Sequence, residues 1–199
     1  MSRRFVAILV GALLGALAVG VGYFLLNRRG GFPVPTPPAE AAAVPHDVPS
    51  APAADVPWEV KLYFPSENAL LVPEPRELMA GGSPSEAAGR LVRALLDGPT
   101  RSGLVRAFPA EVTLGRALVL PDGTAYIDLR GADGAPPPAT GSEMEMLSVF
   151  ALVDSVVWNL PEAERVVLLW NGEQRPSLSG HVNTGSPLVA NRQLLTSPP

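Results

Sequence analysis

The chain contains no cysteine and only two histidines, His46 and His181. Without cysteine there is no disulfide, no thiolate metal site, no cysteine nucleophile and no cysteine to carry the lipid of a bacterial lipoprotein. The two histidines form neither an HExxH motif nor a histidine cluster. We therefore predict no metal and no cofactor, and any attachment to a membrane must come from the polypeptide itself.

Motifs for nucleotide binding and for a serine nucleophile are also missing. Gly81-Gly82-Ser83 lacks the lysine and the spacing of a P-loop, and no GxSxG sequence occurs. The chain has 15 basic and 19 acidic residues, and four of its arginines flank one apolar run near the N-terminus. The remainder is therefore acidic and repels nucleic acid phosphates, which excludes nucleic acid as a partner.

The apolar run extends from Phe5 to Leu26 without a charged side chain. As a helix that rises about 1.5 Å per residue, it is long enough for the roughly 30 Å hydrocarbon core of a bilayer. Arginines precede it, and Asn27-Arg28-Arg29 follows it in place of the small residues of a cleavage site. We predict an uncleaved transmembrane signal anchor over residues 1–31, and a cleaved signal peptide is the alternative.

Residues 32–57 are rich in proline and alanine and have almost no large apolar side chains, so they cannot form a core. Such a disordered linker favours polyproline II at about 3.1 Å per residue and acts as a semi-rigid spacer. Long reach suits a partner in the periplasm or the cell wall. We therefore predict a single-pass protein of the bacterial cytoplasmic membrane with an extracytoplasmic C-terminal domain. Because arginines flank both ends of the span, a tether facing the cytoplasm stays open as the alternative.

The first half of the remaining chain predicts two strands and a helix. Residues 58–64 alternate apolar and polar side chains as a strand does, and a weaker extended piece near 69–78 contains prolines that suit an edge strand. Ser83 and Glu86 form a capping box, with the glutamate returning to the serine amide. The helix that begins there has apolar residues at helical spacing and ends before Gly98-Pro99.

The second half predicts a hairpin, a helix and another strand pair. Residues 112–120 and 124–129 flank the turn sequence Pro121-Asp122-Gly123. After a mobile segment, 131–140, a capping box of Ser142 and Glu145 predicts an almost wholly apolar helix that reaches about Asn159. A buried strand, 165–170, then turns at Asn171-Gly172 into a returning strand, 174–178. The fold class is therefore α+β, a mostly antiparallel sheet with two helices packed on it.

Several of these patterns together resemble the GerMN domain of sporulation and spore germination proteins. They are Val60-Lys61-Leu62-Tyr63-Phe64, Leu95-Leu96-Asp97-Gly98-Pro99, Phe108-Pro109, Ala125-Tyr126-Ile127-Asp128-Leu129, Asn171-Gly172 and Ser179-Gly180-His181-Val182. The resemblance covers about Glu59 to Leu188 and divides the chain into an anchor, 1–31, a linker, 32–57, a GerMN-like domain, 58–188, and an unmatched tail, 189–199. It implies a non-catalytic extracytoplasmic module, similar in layout to the ring-building domains of envelope machines.

Three residues are candidates for a functional site: Asp128, Asp154 and His181. The two aspartates could form a carboxylate pair for acid–base work, although a buried acceptor for backbone amides is the interpretation we favour for each. Ser179, His181 and Asp154 could form a triad, but the sequence pattern of a nucleophile elbow is missing. The sequence therefore leaves catalysis unsupported and the binding residues undetermined.

The predicted function is a non-catalytic interaction or scaffold module of the cell envelope, related to sporulation or germination in spore formers. Its partner is an envelope protein or cell-wall glycan, besides the membrane that holds Phe5–Leu26. Small residues at the spacing of Gly11 and Gly15 allow two spans to approach closely, so a homodimer or ring can form through this span or through the domain. The alternative is a cell-wall hydrolase, or an accessory that activates a peptidoglycan hydrolase.

Overall fold

The structure is a computed structural model that describes residues 56–197. The predicted span Phe5–Leu26 and nearly all of the predicted linker lie outside the described residues. Within the described part, no helix has both the length and the hydropathy that crossing a membrane requires. The α+β class is confirmed, and the elements form two separate sheets rather than one.

The smaller sheet consists of β1 (Pro57–Pro65) and β2 (Leu71–Met79), which pair antiparallel along their whole length. Both strands were predicted, although β2 is longer than the prolines at positions 73 and 75 suggested. Proline has no N–H to give to a second neighbour, and β2 pairs with no other strand of the described chain apart from one bridge between Leu71 and Leu195. The prolines are therefore compatible with the strand.

The larger sheet has the order β3-β4-β5-β6, with strands at Thr113–Val119, Thr124–Arg130, Arg165–Trp170 and Glu173–Gln174. The hairpin of β3 and β4 is confirmed, and its turn has Gly123 at φ +81° and the amide of Thr124 donating to Asp122 Oδ1 at 3.0 Å. By contrast, β4 and β5 run parallel. A helix joins them, and parallel strands need such a crossover.

Helix α1 (Pro84–Leu96) begins at its predicted cap, where the Ser83 hydroxyl accepts from the amide of Glu86 at 3.2 Å. The Glu86 carboxylate bonds the amide of Gly82 at 2.7 Å, one residue before the predicted partner. The helix ends where Gly98 adopts φ +88°. Arg106 donates to the carbonyls of Leu96 and Asp97, so a cation meets the negative end of the helix dipole.

Helix α2 (Ser142–Val157) crosses the middle of the domain, where it contacts β1, β5 and α1. The predicted capping box at its start is wrong: Gly141 is the N-cap residue and makes no side-chain cap. Glu145 bonds elsewhere, as described below. The apolar surface of α2 extends round the helix because other elements cover it on several sides. Both sheets and both helices contribute side chains to the core: Leu62, Phe64, Leu91, Leu95, Ile127, Leu129, Leu152, Leu168 and Trp170.

One polar side chain of α2 and one just beyond the helix bond strand β1. The Ser155 hydroxyl accepts from the amide of Tyr63 at 2.9 Å. Asn159, just beyond the helix, accepts from the amide of Lys61 at 2.8 Å and donates to its carbonyl at 2.7 Å. These bonds satisfy main-chain groups on the side of β1 that faces away from β2; the bond to Tyr63 is buried, and the two bonds to Lys61 are exposed.

Two segments without strands or long helices also pack on the domain. The connection 131–140 was predicted to be mobile. It is held to β5, because the carbonyl of Ala135 accepts from the indole N–H of Trp170 at 2.8 Å. Residues 189–197, predicted as a tail, include Leu194, which is 8% exposed. The amide of Thr196 donates to the carbonyl of Leu71 at 3.0 Å. Both segments therefore take part in the tertiary structure.

Candidate functional site

Asp128 lies on β4 and is 6% exposed. Its Oδ1 accepts from the amide of Gly172 at 2.7 Å, and its Oδ2 lies 3.4 Å from Arg130 Nε. The carboxylate therefore holds the turn after β5 against β4. Asp154 is not among its hydrogen-bond partners.

Asp154 lies on the buried side of α2 with no exposed surface. Its Oδ1 accepts from the amide of Asn191 at 2.9 Å, whereas its Oδ2 has no hydrogen-bond partner among the described residues. Burial raises the pKa of Asp154 to about 7, although the Asn191 amide acts in the opposite direction. Burial also raises the pKa of Tyr63 to about 12, with a smaller contribution from the Asp154 charge. The two groups are thus electrostatic neighbours inside the core.

His181 lies beside a residue that sequence analysis did not select. Its Nδ1 is 2.9 Å from Glu145 Oε2, and its amide donates to the same oxygen at 2.8 Å. The hydroxyl of Ser179 donates to the carbonyl of Pro138 at 2.7 Å. The described contacts therefore join neither Ser179 nor His181 to Asp154, and the triad hypothesis is wrong.

Glu145 is the centre of this part of the molecule. Its side chain is almost fully buried, and its Oε1 accepts from the Ser177 hydroxyl at 2.7 Å and from the amides of Leu178 and Ser179 at 3.0 and 2.8 Å. Burial alone would raise the pKa of Glu145. The hydrogen bonds from Ser179, Ser177 and His181 outweigh that effect and lower the pKa to about 2. The carboxylate is therefore ionised under ordinary conditions and holds residues 177–181 in place.

Sequence analysis missed Glu145 because a local explanation was available. A glutamate three residues after a serine at a helix start is the pattern of a capping box. The Ser-Gly-His segment that it contacts lies more than thirty residues later, and nothing in either segment indicates the pairing. The only signal was the polar position itself, on a helix that is otherwise apolar nearly all round.

A cleft of about 240 Å³ adjoins this network. One wall is the segment that Glu145 holds, through Leu178, and another is the first turn of α2, through Met144. The rest of the lining includes Phe108 and Pro109 with the preceding Arg106 and Ala107, and Pro138 with Thr140, and most of the surface is apolar. Ser148, itself 6% exposed, also lines the cleft, and its hydroxyl has no side-chain hydrogen bond with the described part of the chain. The cleft thus offers mostly apolar surface, and its polar lining residues are Arg106, Thr140, Glu145, Ser148 and Ser179.

The groups at this site can bind an apolar ligand. Among residues 56–197, no group of three or more histidine, aspartate or glutamate side chains is arranged to hold a metal ion. The carboxylate nearest the cleft, Glu145, has both oxygens engaged in several hydrogen bonds. What the arrangement can do is bury an apolar group against a wall that the Glu145 network keeps in position.

The chain is similar to a known protein family and to solved structures. The family model described as Germane, sporulation and spore germination, matches residues 61–176. The tandem GerMN domains of the sporulation protein GerM from Bacillus subtilis superpose with a TM-score of 0.52 at 18% identity, over 70% of this chain and 47% of that one. At this identity the similarity concerns the fold.

Two further solved structures are similar at lower TM-scores. The first GerMN domain of the same Bacillus subtilis protein has a TM-score of 0.42 at 20% identity, over 69% of this chain and 98% of that one. A candidate lipoprotein from Clostridium perfringens has a TM-score of 0.48 at 19% identity, over 67% of this chain and 87% of that one. A comparison with curated proteins finds no match.

Proposed function

Because the chain belongs to the Germane family of sporulation and spore germination domains, we propose that it is a non-catalytic interaction module of the bacterial cell envelope. In this proposal Phe5–Leu26 anchors it in the cytoplasmic membrane, and the proline-rich linker holds the domain outside the cytoplasm. The domain binds an envelope protein through the cleft beside Glu145.

The observation that carries this proposal is the apolar cleft with its prearranged wall. At about 240 Å³ the cleft is smaller than the roughly 300–1,000 Å³ of ordinary small-molecule sites, so it suits one large apolar side chain of a partner better than a cofactor. Binding energy at protein interfaces concentrates where such an anchor enters a desolvated pocket. A wall already held by Glu145 reduces the entropy lost on binding.

The surroundings of the three candidate residues support an interaction role over a hydrolytic one. Acid–base hydrolysis needs two groups that act on one substrate bond, with both within reach of it. Asp128 bonds Gly172, Asp154 bonds Asn191 and His181 bonds Glu145. Each therefore has a different structural partner.

The test is photo-crosslinking in cells with the full-length chain carrying a benzophenone amino acid at Ser142, beside the cleft mouth. We expect a specific adduct with one envelope protein. Met144→Arg, which places a charge in the cleft, should reduce the adduct by about tenfold. Met79→Arg is the matched control, because Met79 is 41% exposed on β2 and does not line the cleft.

Equal adduct yields from the two arginine variants would contradict the role of the cleft. External protease acting on spheroplasts should digest the domain, and a protected domain would contradict the proposed location. Digestion of purified peptidoglycan by the isolated full-length chain would contradict the non-catalytic assignment and favour the hydrolase alternative. The three readouts are independent, so each part of the proposal can fail separately.

A further inference from the structure

A second concave surface lies on the four-stranded sheet, away from the helices. Along β4, Ala125, Ile127 and Leu129 are fully buried toward the core, so alternation directs Tyr126, Asp128 and Arg130 to the opposite face. There they line a groove of about 410 Å³ together with Arg116, Leu118 and Leu169. This groove shares no lining residue with the cleft beside Glu145.

The groove depends on a β-bulge in strand β3. The register of β3 against β4 shifts between Leu114 and Arg116, which leaves Gly115 at the irregular position. A Cβ on Gly115 would lie only 2.4 Å from Arg130 Nε and 2.7 Å from Asp128 Oδ2. A side chain at position 115 would therefore displace Arg130 or Asp128 from the positions they occupy here.

The polar groups of the groove have unused bonding capacity. Asp128 can accept about four hydrogen bonds, and it receives one short bond from Gly172 and one of 3.4 Å from Arg130. The Arg116 side chain makes no ion pair or hydrogen bond with any residue that the structure describes. Two arginines and one aspartate give the groove a net positive charge on an otherwise acidic chain.

The apolar part of the groove is a platform. Tyr126 and Leu169 are half-buried, and Leu118 is 41% exposed. The main-chain groups of β3 and β4 pair with each other across the groove floor. An extended peptide laid on this face would find few backbone partners, whereas a sugar ring could rest its C–H face on the platform and direct its hydroxyls to side chains.

We propose that this groove binds a saccharide that carries a carboxylate. Its ring packs on Tyr126, its hydroxyls donate to Asp128, and its carboxylate pairs with Arg116. The observation behind this assignment is an unpaired arginine side chain and an undersaturated carboxylate that face each other across β3 and β4, next to the pair of Leu118 and the aromatic Tyr126. The identity of the biological ligand depends on the extracytoplasmic location proposed above, whereas the binding of such a saccharide does not.

The test is calorimetric titration of the full-length chain in detergent with a disaccharide of N-acetylglucosamine and N-acetylmuramic acid, which carries a carboxylate. The neutral N-acetylglucosamine dimer is the matched ligand. We expect saturable binding of the acidic disaccharide, weakened roughly tenfold in Arg116→Gln, with the neutral dimer affected little by that change. Arg93→Gln, an exposed arginine on α1, is the matched control.

Several outcomes would overturn the assignment. These are the absence of binding by the acidic disaccharide, and an equal loss of affinity in Arg116→Gln and Arg93→Gln. A glutamate-rich peptide that binds more tightly than the disaccharide and depends on Arg116 would show that the groove serves an acidic protein segment. Because Arg116 is exposed, its variant should fold, and the circular dichroism spectrum checks this. Loss of the cleft adduct described above would leave this result unchanged, so the two proposals fail separately.

Discussion

Glu74 and Glu145 lie on different elements and have the same role, because each buried carboxylate accepts hydrogen bonds from a loop distant in sequence. Glu74 on β2 accepts from the amide and hydroxyl of Thr100 and from the amide of Arg101 at 3.0 to 3.2 Å. Burial would raise the pKa of Glu74, but these bonds and that of Arg76 lower it below its ordinary value. Acidic residues in this domain therefore position loops.

The first prediction concerns Glu145→Gln. The amide nitrogen of glutamine would place N–H groups opposite the N–H and O–H donors of residues 177–181, and the charge that strengthens these bonds would be lost. We expect a loss of about 2–4 kcal/mol in the free energy of unfolding, measured by urea denaturation. Glu143→Gln, on the exposed side of the same helix, should change it little.

The same variant should change the response to acid. The pKa of Glu145 is lowered from 4.5 to about 2 in the folded state, so its contribution to stability is fully present above about pH 4.5. That contribution is lost as the pH falls through about 2. The wild-type chain should therefore lose more stability than Glu145→Gln between these values, and parallel pH curves for the two would contradict the role of Glu145.

At the scale of elements, α2 and β1 form a pair joined by side-chain to main-chain bonds. Ser155 and Asn159 together bond the amides of Lys61 and Tyr63 and one carbonyl. A strand edge covered in this way cannot take another strand at these positions, and the buried amide of Tyr63 has a hydrogen-bond partner. The end of α2 is thereby fixed against the smaller sheet.

The second prediction follows for Asn159→Ala. The variant removes the partner of the Lys61 amide and carbonyl at an exposed position where water can replace it, so we expect a loss of about 0.5–1.5 kcal/mol in the free energy of unfolding. Hydrogen exchange gives a local readout: the Lys61 amide should exchange faster, whereas the Tyr63 amide, bonded by Ser155, should change much less. Glu162→Ala is the exposed control, and unchanged exchange at Lys61 would contradict the pairing.

At the scale of the whole molecule, the folded body extends beyond the residues that the family model matches. The match ends at residue 176, yet residues 177–181 bond Glu145 and Leu188 pairs with Val166. Farther on, Asn191 bonds Asp154 and Leu194 enters the core. The last described residues therefore connect α2, β5 and β2 from outside the matched region.

The third prediction tests this C-terminal stretch. Leu194→Ala removes a side chain that is 8% exposed, and we expect a loss of about 2–3 kcal/mol in the free energy of unfolding. Val189→Ala should cost less than about 0.5 kcal/mol, because Val189 is 64% exposed. Urea denaturation of both variants checks the difference. Equal midpoints would mean that residues 189–197 contribute nothing to the stability of the domain.

The elements that the sequence determined by itself are those with local causes. The Ser83 cap and the Gly98 end define α1, the Pro-Asp-Gly turn defines the β3–β4 hairpin, and Asn171-Gly172 provides a turn with positive φ at both residues. Each depends on backbone preferences and hydrogen bonds within a few residues, so a short stretch of sequence contains the whole physical reason.

Only the tertiary structure decided which distant groups meet. The parallel pairing of β4 with β5, the bonds of Glu145 to residues 177–181 and the bond of Asp154 to Asn191 join segments far apart in sequence. A buried carboxylate requires hydrogen-bond donors, but any free amide of a loop can supply them. The sequence around the carboxylate does not indicate which loop will contact it. The packing of the whole core determines where the chain folds back. This packing brings residues 177–181 to Glu145, which therefore bonds this loop instead of capping its own helix.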